Sequence, residues 1–220
     1  MRDSFLSTLM GWLGIARRRE HATPDRWIMV DVETTGLNPA RDRLLAIAAV
    51  ALRQDPTTKA LQVVIGDSFE VVLRQAQPSA KDNILIHHIG AEAQTLGEAP
   101  EAALENFRHW VGTSPLLAYH AAFDAGMIRR AYRSYHLEAL NVQWLDIAPL
   151  ARMFGGNAHA KALDDWLTHF NIECAVRHQA ASDAFATAEL LLRLWPAISR
   201  ETQTWRGLVR LAKEASWIPS

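Results

Sequence analysis

Asp31 and Glu33 stand two residues apart in the segment Val30-Asp31-Val32-Glu33-Thr34-Thr35-Gly36. Side chains alternate faces along a strand, so the two carboxylates point one way and Val30 and Val32 the other. Like charges held that close repel unless they are protonated or neutralised, and a hard divalent cation with oxygen ligands is the natural neutraliser. Taken alone, such a pair more often marks a solvated strand end ahead of a glycine turn.

A second acid follows an apolar strand in Ala118-Tyr119-His120-Ala121-Ala122-Phe123-Asp124, where Asp124 falls in the first turn of a helix. The helix dipole favours a carboxylate there, so an ordinary first-turn Asp explains it equally well. The third feature is His178 with Asp183, five residues apart. Ala184, Ala188, Leu191 and Trp195 recur at helical spacing and mark a buried stripe, with Asp183 beside its N-terminal end. Five residues would rotate His178 off that face, which places it on the preceding loop. The alternative is a capping Asp beside a surface His. Together, however, four acids at strand and helix ends with one loop His make the set that two-metal phosphodiester hydrolysis requires. One cation lowers the pKa of the attacking water, the other stabilises the leaving oxygen, and a His accepts a proton near neutral pH.

The elements that must position these groups are legible in part. The apolar run Trp27-Ile28-Met29-Val30 suits a strand buried on both faces. Further runs at 44–52 and 61–73, the latter a strand or strand pair, complete a β-meander. From Pro78 the texture turns helical, with one helix ended by Gly112, a short strand at 116–119, and helices near 123–135, 147–153, 161–170, 182–194 and 201–215. Strands in a row followed by alternating helices predict an α/β fold, a mixed sheet flanked by helices in a single domain. Its expected limits are 21–197, with an N-terminal extension at 1–20 and a C-terminal helix within 198–220. The eight Trp are scattered and read as core or half-buried residues.

The order Asp31-x-Glu33, Asp124, His178-x-x-x-x-Asp183 resembles the DEDDh branch of the DnaQ-like 3′-to-5′ exonucleases, whose members include the proofreading ε subunit of bacterial DNA polymerase III. Asp31 to Leu37 resembles the first motif of that family. Ile86-His87-His88-Ile89-Gly90 resembles its Val-His-Gly-Ile-Thr segment, and Leu145 to Arg152 its Asp-Thr-x-x-Leu-Ala-Arg stretch. The resemblance covers 26–195 and implies a ribonuclease H-like fold. It implies that Asp31, Glu33 and Asp183 hold one Mg²⁺ or Mn²⁺, with Asp31 shared by a second that Asp124 supports, and that His178 is the general base. Thr34, Thr35 and Leu37 would meet the terminal nucleotide, with His120 and Phe123 lining its pocket. The chain departs from the family at Ala121, where Asn is frequent, at His88 and Gly90, and at Ala46, where Glu is common; none of these touches the acids or His178.

The resemblance implies release of nucleoside monophosphates from single-stranded or frayed 3′ ends of DNA, in proofreading or repair. Trimming of RNA 3′ ends is one alternative, and an accessory polymerase-associated module is another. The charge is nearly balanced, 23 Lys+Arg against 24 Asp+Glu for a net −1, so broad coating of nucleic acid is not expected. Two divalent cations would carry that net charge from −1 to +3 at the site. Arg129, Arg130 and Arg133 beyond Asp124, and Arg177 before His178, are candidate phosphate guides or simply solvated helix faces. The single Cys174 forbids an intramolecular disulfide and suits a reducing compartment, the cytoplasm by default. Phe5, Leu9, Trp12 and Leu13 suggest an amphipathic helix at 1–20, docking on the body, on a second copy as a homodimer, on a protein partner or on a membrane surface. Its apolar run is too short to span a bilayer. No Walker, dinucleotide-binding or nucleophile-elbow motif is present.

Overall fold

Among the described residues five strands, β1 (Arg26–Thr34), β2 (Leu44–Gln54), β3 (Leu61–Val72), β4 (Leu116–Ala118) and β5 (Trp144–Asp146), pair in the order β3-β2-β1-β4-β5. The computed structural model describes residues 26–157 and 159–217, so the helix expected at 1–20 lies outside the described residues. β1, β2 and β3 run antiparallel as the expected meander, while β4 pairs parallel to β1 and β5 parallel to β4. The segment expected as a strand or strand pair is one strand, whose register against β2 shifts between Val50 and Ala51.

Eight helices accompany this sheet among the described residues: α1 (Lys81–His87), α2 (Ala91–Leu96), α3 (Pro100–Val111), α4 (Ala122–Ser134), α5 (Ala148–Phe154), α6 (Leu163–His169), α7 (Ala180–Glu201) and α8 (Trp205–Ala215). Sequence periodicity does not resolve α1, α2 or β5 as separate elements, because runs this short carry too little period. The helix expected to stop at 194 continues through Pro196 to Glu201. Proline removes one backbone donor, and burial of Trp195 and Ile198 against the core holds the turn around it. Residues 198–201 therefore belong to α7, and the C-terminal helix is α8. None of the described helices is long and apolar enough to cross a membrane.

The pleat of β1 sorts its side chains into two cores. Ile28, Val30 and Val32 join Leu104, Phe107, Ile128 and Tyr132 beneath α3 and α4. Trp27 and Met29 join Leu150, Leu191, Leu194 and Leu208 beneath α5, α7 and α8. Trp27 meets Trp195 and Trp205 with ring centroids 5.6 Å away in both pairs, which fastens α7 and α8 to the sheet. Among the described residues the Trp side chains are core or half-buried as expected, apart from Trp217, which is exposed.

Gly155 closes α5 directly beneath the Trp166 ring, where an added Cβ would collide with that ring and with the Ala151 carbonyl. Gly155→Ala is expected to cost about 1–3 kcal/mol through overpacking. In a denaturant titration the midpoint should fall with the slope unchanged.

Candidate functional site

Asp31 and Glu33 continue the row of Trp27 and Met29 toward the end of β1, so the pleat aims both carboxylates at the face that α7 covers. α7 begins at Ala180 and carries Asp183 in its first turn. Small residues flank the acids on the neighbouring strand, with Ala48 opposite Asp31 and Ala46 opposite Glu33. Asp31, Glu33 and Asp183 each offer a carboxylate oxygen, and these oxygens lie within 4.8 Å of one another. Glu33 and Asp183 are buried, and Asp31 is partly so. Asp124 enters from the N-terminus of α4 and is buried too, its carboxylate taking backbone N–H groups of Asp124 itself and Val32.

Clustering of these charges without a cation has the expected electrostatic consequence. Burial pushes the Asp31 carboxyl well above its ordinary range, and the charges of Asp124, Glu33 and Asp183 add to that, while Arg177 opposes it. Asp124 is pushed up to about 8, first by burial and then by the charge of Asp146. Glu33 is raised by burial, against the pull of His87, whose Nδ1 pairs with Glu33 Oε2. Glu33 Oε1 is buried without a hydrogen-bond partner among the described residues. An acceptor in that condition, beside two further carboxylates, fits a hard divalent cation.

His178 lies on the loop before α7, as its spacing suggests, in the left-handed region with φ 62°. Its backbone N–H donates to Asp183 Oδ2 at 3.0 Å, and its ring stands edge-on to that of His87 with centroids 6.4 Å apart. Thr34 is buried, its hydroxyl donating to the Gly36 carbonyl at 2.7 Å, and Thr35 Oγ1 accepts the Arg43 N–H at 2.9 Å. Those bonds stiffen the loop that presents Leu37, which is 86% exposed. His120 is exposed at φ 62°, its N–H held by Asp146 Oδ1 at 2.9 Å, and Phe123 packs partly buried on the core beneath α4.

Three residues around the acids gain their roles from the structure. His87 is visible in sequence within a motif, but its pairing with Glu33 is not. Asp146 bonds the N–H groups of His120 and Ala148 and so anchors the chain ahead of Asp124. Arg177, a candidate phosphate guide by sequence, is instead engaged by Asp183 and by Asp164. Cys174 Sγ donates to Asp183 Oδ1 at 3.4 Å, and its thiol is raised to about 11, chiefly by burial.

Comparison with known proteins matches this geometry to a family. The RNase_T exonuclease family matches residues 28–191. DNA polymerase III PolC-type of Oceanobacillus iheyensis is 31% identical over 173 residues, covering 77% of this chain and 11% of that protein. Its namesake in Bacillus subtilis (strain 168) is 29% identical over 173 residues, with the same two coverages, 77% and 11%. The chain thus spans about a tenth of the length of these curated relatives. Among solved structures, E. coli exonuclease I in complex with a dT13 oligonucleotide superposes with a TM-score of 0.66 at 18% identity, covering 80% of this chain and 43% of that one. Exonuclease X in complex with 5′ overhanging duplex DNA superposes at 0.62 and 19% identity, covering 84% of this chain and 99% of that one. These neighbours share the fold, the ribonuclease H-like mixed sheet that the sequence predicts. With its residues 28–191 matched and its acids clustered at one end of that sheet, the chain belongs to the RNase_T exonuclease family, the DnaQ-like group of nucleases.

Proposed function

We propose that the chain is a two-metal-ion 3′-to-5′ exonuclease that removes nucleoside monophosphates from single-stranded or frayed DNA ends. The observation that carries this reading is the convergence of Asp31, Glu33 and Asp183 from two distant elements, with Asp124 beside Asp31 and the His178 N–H on Asp183. Asp31, Glu33 and Asp183 would hold one divalent cation, and Asp31 with Asp124 a second, Mg²⁺ or Mn²⁺ in each case. When bound, the cations supply Lewis acidity toward the phosphate and lower the pKa of water.

The chain's own residues do the remainder. The His178 imidazole accepts a proton from the attacking water, its loop tethered to α7 through the Asp183 bond. Leu37, exposed and apolar on a braced loop, wedges against the terminal base, which Thr34 and Thr35 flank and His120 and Phe123 enclose. Such contacts need no base readout, so the enzyme takes ends irrespective of sequence. RNA 3′ ends are the alternative substrate, since selection turns on how the pocket receives a 2′-hydroxyl. Similarity to PolC-type polymerases supports a second reading, a nuclease working with a polymerase, with residues 1–20 as its dock to that partner or to a second copy. The single Cys174, which forbids an intramolecular disulfide, supports a reducing compartment, the cytoplasm, as the setting of that activity.

Protein supplied with Mn²⁺ or Mg²⁺ should release mononucleotides from the 3′ end of a labelled single strand, and EDTA should abolish release. Release from the 5′ end, or turnover undiminished by EDTA, would overturn the assignment. Matched DNA and RNA strands run side by side decide the sugar preference.

A further inference from the structure

Glu33 stands opposite Ala46 on β2, and a methyl group there offers its carboxylate no hydrogen bond. A glutamate side chain turns about several bonds, so a carboxylate without a partner samples many positions. The group that meets this one comes from α1. His87 Nδ1 pairs with Glu33 Oε2, and that nitrogen is buried with no other partner among the described residues. Glu33 Oε1 is buried and unpaired. One oxygen is therefore engaged while the other is left for a ligand.

The way α1 docks explains how His87 reaches this place. None of its seven residues is fully buried, and the half-buried ones, Asn83, Ile84 and His87, fall on one face by helical spacing. Leu85 and Ile86 are exposed. Asn83 Nδ2 donates to the Thr34 carbonyl at 2.8 Å, and His87, one turn later, meets Glu33. Two polar side chains at i, i+4 thus grip two consecutive residues of β1. The ring of His87 also stands edge-on to that of His178, with centroids 6.4 Å apart. Packing against His178 is the rival reason for its presence.

We propose that His87 is a positioning residue of the cation site, fixing the Glu33 carboxylate through Oε2 so that Oε1 faces the cation held with Asp31 and Asp183. This rests on the two-metal reading above. A ligand oriented beforehand by a donor has less freedom to lose when the ion arrives. A neutral imidazole with its proton on Nδ1 donates as the imidazolium does, so the role requires no charge on the ring.

Titration calorimetry of Mn²⁺ into the 220-residue chain without substrate tests this, using two variants that separate the donor from the ring. His87→Phe keeps an aromatic ring beside His178 and removes the donor. His87→Asn keeps an N–H near the place of Nδ1 and removes the ring. Loss of the partner of a metal-ligating group costs about 10-fold to 100-fold in affinity, so the Kd for Mn²⁺ should rise at least about tenfold in His87→Phe. In His87→Asn it should stay within about threefold of the parent. The Mn²⁺ concentration that half-activates release from a labelled single strand should move by the same factors. His87→Ala supplies the same loss of donor should the phenyl ring unsettle α1, which the melting temperature of the metal-free protein reports.

Parent-like Mn²⁺ affinity in His87→Phe and His87→Ala overturns the positioning role. Equal weakening in the Phe and Asn variants does so too, because a retained donor then rescues nothing. Weakening in Asn with Phe intact would assign His87 to packing on His178. A parent that binds Mn²⁺ yet releases nothing from a 3′ end sinks the exonuclease reading alone. A parent that binds no Mn²⁺ sinks the cation site and the role of His87 with it.

Discussion

Asp31→Asn is expected to cut phosphodiester hydrolysis by at least about 10³-fold while making the metal-free protein more stable at pH 8. Both effects come from one carboxylate. Asp31 sits between Glu33, Asp183 and Asp124, and its charge is disfavoured by burial and by all three neighbours. Removing it takes away a shared cation ligand, and loss of a Lewis acid's contribution is worth several kcal/mol of barrier, about 4 kcal/mol for a thousandfold. Without metal, that charge only repels, and the amide keeps the shape. A carboxyl whose folded pKa exceeds its ordinary value of 3.8 favours the fold while protonated. That contribution is whole below the ordinary value and is lost as pH rises through the folded one, about 8 for Asp124. Melting of the metal-free parent should therefore be highest in mild acid and fall toward pH 8 and above. Mn²⁺ at a hundredfold its Kd should restore about 2.7 kcal/mol, or about 5–10 °C, at pH 8. A metal-free Asp31→Asn protein less stable than the parent at pH 8 would show that the acids are not mutually strained.

His178→Asn should lower kcat by roughly 10²-fold to 10⁴-fold, the usual worth of one positioned base. Asparagine is the better substitution because residue 178 has φ 62°, a region that Asn enters readily and Ala does not. The bond that positions the loop is made by the backbone N–H to Asp183, so it survives the change. Cation binding, followed as the metal-induced rise in melting temperature, should accordingly persist in this variant and be weakened in Asp31→Asn. Equal kcat in His178→Asn and parent would remove the imidazole from the reaction. Loss of the metal-induced rise would instead assign residue 178 to holding α7.

The acids of the site were more legible in the sequence than their partners. Alternation in Val30-Asp31-Val32-Glu33 is a local property, and the structure follows it: Val30 and Val32 are buried under α4, and the two acids face α7. The stripe Ala184, Ala188, Leu191 and Trp195 is likewise buried as its spacing demands. Some elements of three to seven residues escape such reading, as β5, α1 and α2 do although β4, α5 and α6 do not, since less than two turns or two alternations give a weak period on their own. His87 and Arg177 show the other limit. Each belongs to a segment noticed in sequence, yet the pairing of His87 with Glu33 and of Arg177 with Asp183 is set by neighbours from other elements.

The direction of each side chain relative to its own strand or helix, and the order of motifs that marks the family, can be read from the chain alone. Those follow from backbone geometry repeated every two or every 3.6 residues. Packing of the folded chain is what brings Asp183 within reach of Asp31 across some 150 positions, commits Arg177 to Asp183 and Asp164, and sets Pro39 of the loop after β1 against α4. These depend on which faces pack together once both sides of one sheet are covered, and packing is a property of the whole core.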